Sequence, residues 1–259
     1  MQAPVFVLTI SGSDSSGGAG LQADNRAILA AGAFPLNVIT AVTLQTPAGV
    51  EAVECISAPF VVNQLRRLLD AYPVAAVKSG MLASQAIAEG CAEVLEDFPE
   101  IPYVLDPVLL STSGHPLLPA SAVALLRDRL MPRATLTTPN LDELFALAPS
   151  AAGADPVRVG LELAKACGQS MLIKGGHRGG DACEDWLLGP GGTRESFTSE
   201  RINSNNLRGT GCALSSAIAA RLAGGYSLSA AVKWAKAMLA DSLKRNATTK
   251  WTGAGPAML

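Results

Sequence analysis

The chain has 259 residues, 49% of them hydrophobic, with 20 basic against 22 acidic side chains and a net charge of −2. That length supports one large core, and no proline-, serine- or charge-rich linker interrupts it, so one domain over residues 1–259 is expected. The balanced charge and the lack of a basic run exclude nucleic acid and anionic membranes as expected partners and leave a small molecule. Five cysteines, Cys55, Cys91, Cys167, Cys183 and Cys212, form no C-x-x-C pair, and an odd count argues against a disulfide framework. The N-terminal Met1-Gln2-Ala3-Pro4 lacks the positive region of a signal peptide, and no apolar run reaches the roughly 18 residues that cross a bilayer. A cytoplasmic location is therefore expected. The two histidines, His115 and His177, lie far apart, which speaks against a histidine-built zinc site.

Val5–Ile10 is a short apolar run that ends in Ser11-Gly12-Ser13-Asp14-Ser15-Ser16-Gly17-Gly18, so the sequence predicts a strand feeding a glycine- and serine-rich loop. A helix carrying Leu21, Ile28 and Leu29 follows and stops at Gly32. Further strands are expected at Leu36–Val42, Ala75–Lys78, Tyr103–Leu105, Thr135–Thr138, Met171–Lys174 and Asp185–Leu188. Helices are expected over Pro59–Ala71, Ser84–Glu96, Pro119–Arg129, Pro156–Cys167, Cys212–Leu222 and Ser229–Arg245, with Ala148–Asp155 as a small-residue connector. The alternation implies an α/β fold with a mainly parallel sheet and helices on both faces, because parallel strands need crossover connections. Ligands of such sheets bind at the carboxyl ends of strands. The polar and glycine-rich clusters Ser11–Gly20, Gln45, Gly80-Met81, Asp106, Pro139–Glu143 and Lys174–His177 all follow strands, so one rim of the sheet collects the chemistry.

In Leu207-Arg208-Gly209-Thr210-Gly211-Cys212-Ala213-Leu214 two glycines bracket a threonine just before an apolar-periodic helix. The free N–H groups and positive dipole end of that helix suit a phosphate, and the glycines let the backbone approach it. Cys212 at the mouth is expected to have a lowered pKa and to be a proton acceptor for an alcohol; the alternative is a small buried cysteine after a glycine turn. Asn140-x-x-Glu143 can aid a hard cation such as Mg²⁺ through oxygen ligands, or can be a helix cap with Glu143 at its third position. Asp106 ends an apolar strand, where a carboxylate must be paired or face a site, or else forms an Asp-Pro turn. Lys174 can offset nucleotide phosphate charge or be an ordinary exposed lysine. Neither a G-x-x-x-x-G-K-[ST] loop nor a strand-linked G-x-G-x-x-G is present.

Together these motifs resemble the hydroxymethylpyrimidine and phosphomethylpyrimidine kinases of thiamine biosynthesis, within the ribokinase-like superfamily. The resemblance runs through Thr9–Asp24, Val38–Thr46, Lys78-Ser79-Gly80-Met81, Leu105-Asp106-Pro107-Val108, Thr138–Glu143, Lys174-Gly175-Gly176-His177 and Gly209-Thr210-Gly211-Cys212. It implies a three-layer α/β/α fold, transfer of the ATP γ-phosphoryl group with Mg²⁺ to a pyrimidine alcohol and its monophosphate, and a homodimer. By that resemblance Asp24, Gln45, Met81 and Val108 frame the pyrimidine, and Asn140, Lys174 and Thr210 serve ATP. Glu143 and Asp106 serve the metal, while Gly209, Gly211 and Cys212 carry the transfer, Cys212 standing where many relatives have an aspartate base. The chain departs from the family in having Leu207-Arg208 in place of Thr-His, and Ser111-Thr112-Ser113-Gly114-His115 in place of Ala-Lys-Ser-Gly-Asp. Both changes bear on the choice between alcohol and monophosphate. A pyridoxal or pyridoxine kinase of the same fold, and a non-catalytic ligand-binding protein on the scaffold, are the rival readings.

Overall fold

The computed structural model describes residues 3–111, 114–175, 182–251 and 255–257. Among the described residues nine strands form one sheet: β1 (Phe6–Asp14), β2 (Phe34–Thr46), β3 (Gly49–Cys55), β4 (Val74–Ser79), β5 (Tyr103–Leu105), β6 (Leu136–Thr137), β7 (Ser170–Ile173), β8 (Ala182–Leu188) and β9 (Arg194–Glu200). Their order is β3-β2-β1-β4-β5-β6-β7-β8-β9. The six inner strands from β2 to β7 pair in parallel, and antiparallel pairs β2–β3 and β8–β9 make the two edges.

The helices are α1 (Gly20–Ala30), α2 (Ala58–Ala71), α3 (Gln85–Glu96), α4 (Val123–Leu125), α5 (Met131–Arg133), α6 (Leu141–Leu147), α7 (Pro156–Cys167), α8 (Thr210–Ala223) and α9 (Leu228–Arg245). Successive strand residues feed opposite cores, as the two-residue period of a strand requires. Val7, Ala76, Val104, Leu136 and Leu172 join a core with α1, α8 and α9. Leu8, Val77, Leu105 and Met171 join the other, with α2, α3 and α7. Each fully buried leucine or isoleucine contributes about 1.5–3 kcal/mol, so the sheet is pinned from both faces. No helix of the described residues is long and apolar enough to cross a membrane.

The structure differs from the sequence reading in five places, the first being β2, which runs from Phe34 to Thr46 and takes in Gln45, expected just beyond a strand ending at Val42. Strand β1 runs on to Asp14, with a register irregularity between Ser11 and Ser13, so half of the expected loop is strand. Strands β3 and β9 were not expected, because both are largely exposed edge segments whose polar residues mask any alternation. The helix expected at Pro119–Arg129 is a chain of short pieces, 3₁₀ at Ala120–Ala122, α4, a π-turn at Leu126–Leu130 and α5. Finally, α6 follows Asn140 as a full two-turn helix.

Candidate active site

Two glycine-rich segments meet at the rim where the parallel strands end. Asp14, the last residue of β1, accepts hydrogen bonds from the backbone N–H groups of Ser16, Gly18 and Ala19 at 2.8, 3.0 and 2.8 Å. Arg208 Nη2 reaches across from the other segment to Asp14 Oδ2 at 3.0 Å and Ser16 Oγ at 2.8 Å. Both charged residues are buried, at 4% and 6% exposure, so the pair locks the loop in place. Gly209 has φ +74°, and a Cβ there would lie 2.2 Å from the Gly18 carbonyl oxygen. Only glycine fits that contact.

Helix α8 begins at this junction with Gly209 as its N-cap. Thr210 Oγ1 donates back to the Leu207 carbonyl at 3.0 Å, and Ala213 N–H to that of Gly209 at 2.8 Å. Among the described residues no backbone carbonyl takes the N–H of Gly211 or Cys212. These donors lie at the positive end of a helix of 14 residues with no acidic residue in its first turn. A Cβ on Gly211 would sit 3.3 Å from Lys174 Nζ and 3.8 Å from Asp106 Oδ2, so the cradle and the lysine face one another.

Lys174 Nζ donates to Asp106 Oδ1 at 2.8 Å and lies 3.7 Å from Glu143 Oε2. Asp106 Oδ1 also accepts from Thr138 Oγ1 at 3.1 Å, and Oδ2 from Ser215 Oγ at 3.3 Å. Burial raises the Asp106 pKa, but Lys174 and Lys78 outweigh it and hold the carboxyl below its ordinary value. Burial likewise works against the Lys174 ammonium, while Asp106 and Glu143 raise its pKa above the usual lysine range. Glu143 is pushed up to about 7 by burial, against the pull of Lys174. Asn140 and Glu143 form a reciprocal capping box, each accepting the other's backbone N–H at 2.8 Å.

Residues 14–258 match the phosphomethylpyrimidine kinase family. The chain belongs to this family. It is 42% identical to the hydroxymethylpyrimidine/phosphomethylpyrimidine kinase of Escherichia coli K12 over 97% of this chain and 96% of that one. The structure of phosphomethylpyrimidine kinase from Clostridium difficile 630 is similar at a TM-score of 0.79 and 35% identity, covering 92% of this chain and 99% of the other. The pyridoxal kinase of Staphylococcus aureus in complex with AMP-PCP and pyridoxal is similar at a TM-score of 0.86 and 28% identity, covering 98% and 93%.

In this member of the phosphomethylpyrimidine kinase family the expected nucleotide residues Lys174, Asn140 and Thr210 stand at the ends of β7 and β6 and the start of α8. Asp106, expected at the metal, is the counter-ion of Lys174, and both its oxygens accept hydrogen bonds from protein groups. Glu143 keeps Oε1 free of hydrogen bonds among the described residues, and these contain no group of three or more histidine, cysteine, aspartate or glutamate side chains that could hold a metal. Glu143 Oε1 is thus an oxygen open to a hard cation such as Mg²⁺, which takes few protein ligands and keeps several waters. Cys212 departs from the expected lowered pKa. Burial pushes its thiol up to about 11; Lys78 pulls it down, while Asp24 and Asp106 push it further up.

The residues expected at the pyrimidine divide. Met81 lies against β1, its sulfur 2.8 Å from where a Gly12 Cβ would be, and Gln45 is tied through its backbone to Ser15 Oγ at 3.0 Å. Val108 is half-buried beside Asp106. Asp24 is fully buried, and its carboxylate is taken by Lys78, Ser216 and Thr9, so it faces the protein interior. His177 and Thr112 lie outside the described residues. Sequence reasoning missed the structural roles of Asp14, Arg208 and Lys78. Lys78 did carry a signal, since a lysine in a strand expected at Ala75–Lys78, between apolar residues, must find a partner if the strand is buried.

Proposed function

We propose that this chain transfers the γ-phosphoryl group of ATP to the hydroxymethyl oxygen of 4-amino-5-hydroxymethyl-2-methylpyrimidine, and then to the phosphate of the monophosphate, in thiamine biosynthesis. The observation that carries the reading is the start of α8, where the Gly211 and Cys212 N–H groups have no backbone acceptor among the described residues and a Cβ on Gly211 would lie 3.3 Å from Lys174 Nζ. Phosphoryl transfer proceeds through a loose transition state whose charge spreads over the equatorial oxygens, so aimed donors and a fixed cation are the main protein contribution. The acceptor oxygen forms its bond to phosphorus as the bond to ADP breaks. The alcohol proton leaves late, to a phosphate oxygen or to Cys212 Sγ when that sulfur is ionised. Mg²⁺ would be held by Glu143 Oε1 and the ATP phosphates and would neutralise phosphate charge.

An open pocket of about 430 Å³ lined by Glu200, Arg201, Ile202, Asn203, Ser204 and Leu207 adjoins the start of α8 and is where we place the nucleoside. The same reading takes the chain as one ribokinase-like domain with three α/β/α layers, supported by the two separate cores. A homodimer belongs to the same proposal and rests on the family resemblance, and a cytoplasmic location rests on the cysteine pattern.

One observation favours a second acceptor, pyridoxal, namely that the Staphylococcus aureus pyridoxal kinase superposes with the higher TM-score, 0.86 against 0.79. A coupled ADP-release assay with Mg²⁺ and each acceptor decides between them. A higher kcat/KM for the pyrimidine is expected. A preference for pyridoxal would move the assignment, and no turnover with either would leave a binding protein.

A further inference from the structure

Lys78 sits near the end of β4 with its side chain fully buried. Its Nζ donates to Asp24 Oδ1 at 2.8 Å, and the same oxygen accepts from Ser216 Oγ at 2.8 Å. Asp24 Oδ2 accepts from Thr9 Oγ1 at 2.6 Å. Four elements, β1, β4, α1 and α8, thus converge on one carboxylate. Ser216 stands four residues beyond Cys212 on α8, which places it one turn along the same helix face. The Asp24–Lys78 pair is therefore bonded to α8 one helical turn from Cys212. Gly80 makes the arrangement possible, because a Cβ there would come within 2.8 Å of Lys78 Nζ. The same Cβ would be 3.0 Å from Ser11 Oγ, a buried hydroxyl with no hydrogen-bond partner. The charged groups acting on Cys212 are Lys78 from β4, Asp24 from α1, Asp106 after β5 and Lys174 after β7.

We propose that Lys78 is a positioning residue that sets the charge environment of Cys212, with Asp24 holding it in place and tempering it, so that the two side chains act on the thiol in opposite senses. The assignment rests on the reading of Cys212 as part of the reaction site. It also gives Asp24 a place in the reaction that direct contact with the pyrimidine does not require. Lys78 is the strongest influence favouring the Cys212 thiolate, and Asp24 is the strongest after burial against it. A pair that merely stabilised the fold would, when broken from either side, disturb Cys212 in the same direction.

The test is the rate of Cys212 alkylation by iodoacetamide in the full-length protein, followed by peptide mass spectrometry from pH 7 to 10.5. Lys78→Met should slow alkylation at fixed pH by about tenfold or more, because the reactive species is the thiolate. Asp24→Asn should accelerate it by a similar factor, and the double variant should return near the parent. Should Lys78→Met not fold, Asp24→Asn and the neutral double variant carry the same test. Shifts in one direction for both single variants, or a Cys212 rate unmoved by Asp24→Asn, would overturn the proposal. Opposite alkylation shifts with unaltered turnover would keep the Lys78–Cys212 link and remove Cys212 from the reaction, so the two readings fail separately.

Discussion

Replacing Glu143 with glutamine separates its charge from its place in the helix cap. Glutamine can accept the Asn140 N–H as glutamate does, so the capping box survives. The ionisable group is lost. Burial lifts the Glu143 pKa from its ordinary 4.5 to about 7; that rise is worth about 3 kcal/mol. The sign follows from which state holds the proton. Between about pH 4.5 and 7 the unfolded chain has released it while the folded protein keeps it, so this contribution to stability is complete below about 4.5 and is lost as pH rises through about 7. Urea unfolding of both proteins at pH 4.5 and pH 8 should therefore show Glu143→Gln gaining on the parent by about 3 kcal/mol at the higher pH. A stability gap that is the same at both pH values refutes the buried-carboxylate argument. The same variant should need more Mg²⁺ for half-maximal turnover, because an amide does not compensate the cation's charge. An unshifted Mg²⁺ curve would leave Glu143 as a cap only.

Gly211→Val should lower kcat by about 100-fold or more with acceptor KM nearly unchanged, since its Cβ would start 3.3 Å from Lys174 Nζ and its methyls would cover the free N–H groups; steady-state kinetics on the folded variant check this, and an unchanged kcat removes the cradle. Arg208→Met should destabilise the protein by about 3–5 kcal/mol, because Asp14 is left buried without its cation; a cost below about 1 kcal/mol in urea would show that Arg208 does not lock the loop. Cys212→Ser should reduce turnover only about tenfold, because the thiol is already largely protonated at neutral pH and the proton leaves late. Cys212→Asp should be the more active of the two if the position serves as a base, and a nearly normal serine variant beside an unfolded aspartate variant would reduce Cys212 to packing.

Much of the fold was legible wherever several local signals agreed. Helix α7 has the span the sequence predicts because Asp155 caps the Arg158 N–H, Pro156 opens the helix and Gly168 closes it in a left-handed conformation. Edge strands β3 and β9 lacked such signals, because neither face of them is fully buried. In the site, the rule that chemistry gathers at strand ends brought out Asp106, Asn140 and Lys174, which the structure does bring together, by contacts between residues far apart in the chain. Spacing could not reveal the Arg208–Asp14 pair, whose members are 194 residues apart. Nor could it tell which way the Asp24 carboxylate points, since a helix face that packs on β4 and one that opens to a ligand share the same periodicity.

The thiol of Cys212 shows why a local rule failed at the centre of the site. A helix N-terminus favours a thiolate, and the sequence displays that terminus plainly. Burial opposes it, as do the two carboxylates of Asp24 and Asp106, whose oxygens are anchored by residues from five other parts of the chain. The result, a thiol pushed up to about 11, favours the protonated form at pH 7 by about ten-thousandfold. A base so rarely ionised cannot account for most of the rate. The burden falls on what the same helix start presents towards the phosphate, the Gly211 and Cys212 N–H groups, with Lys174 opposite them. That division predicts the order of damage: substitutions that block the donors should cost more than those that change the thiol.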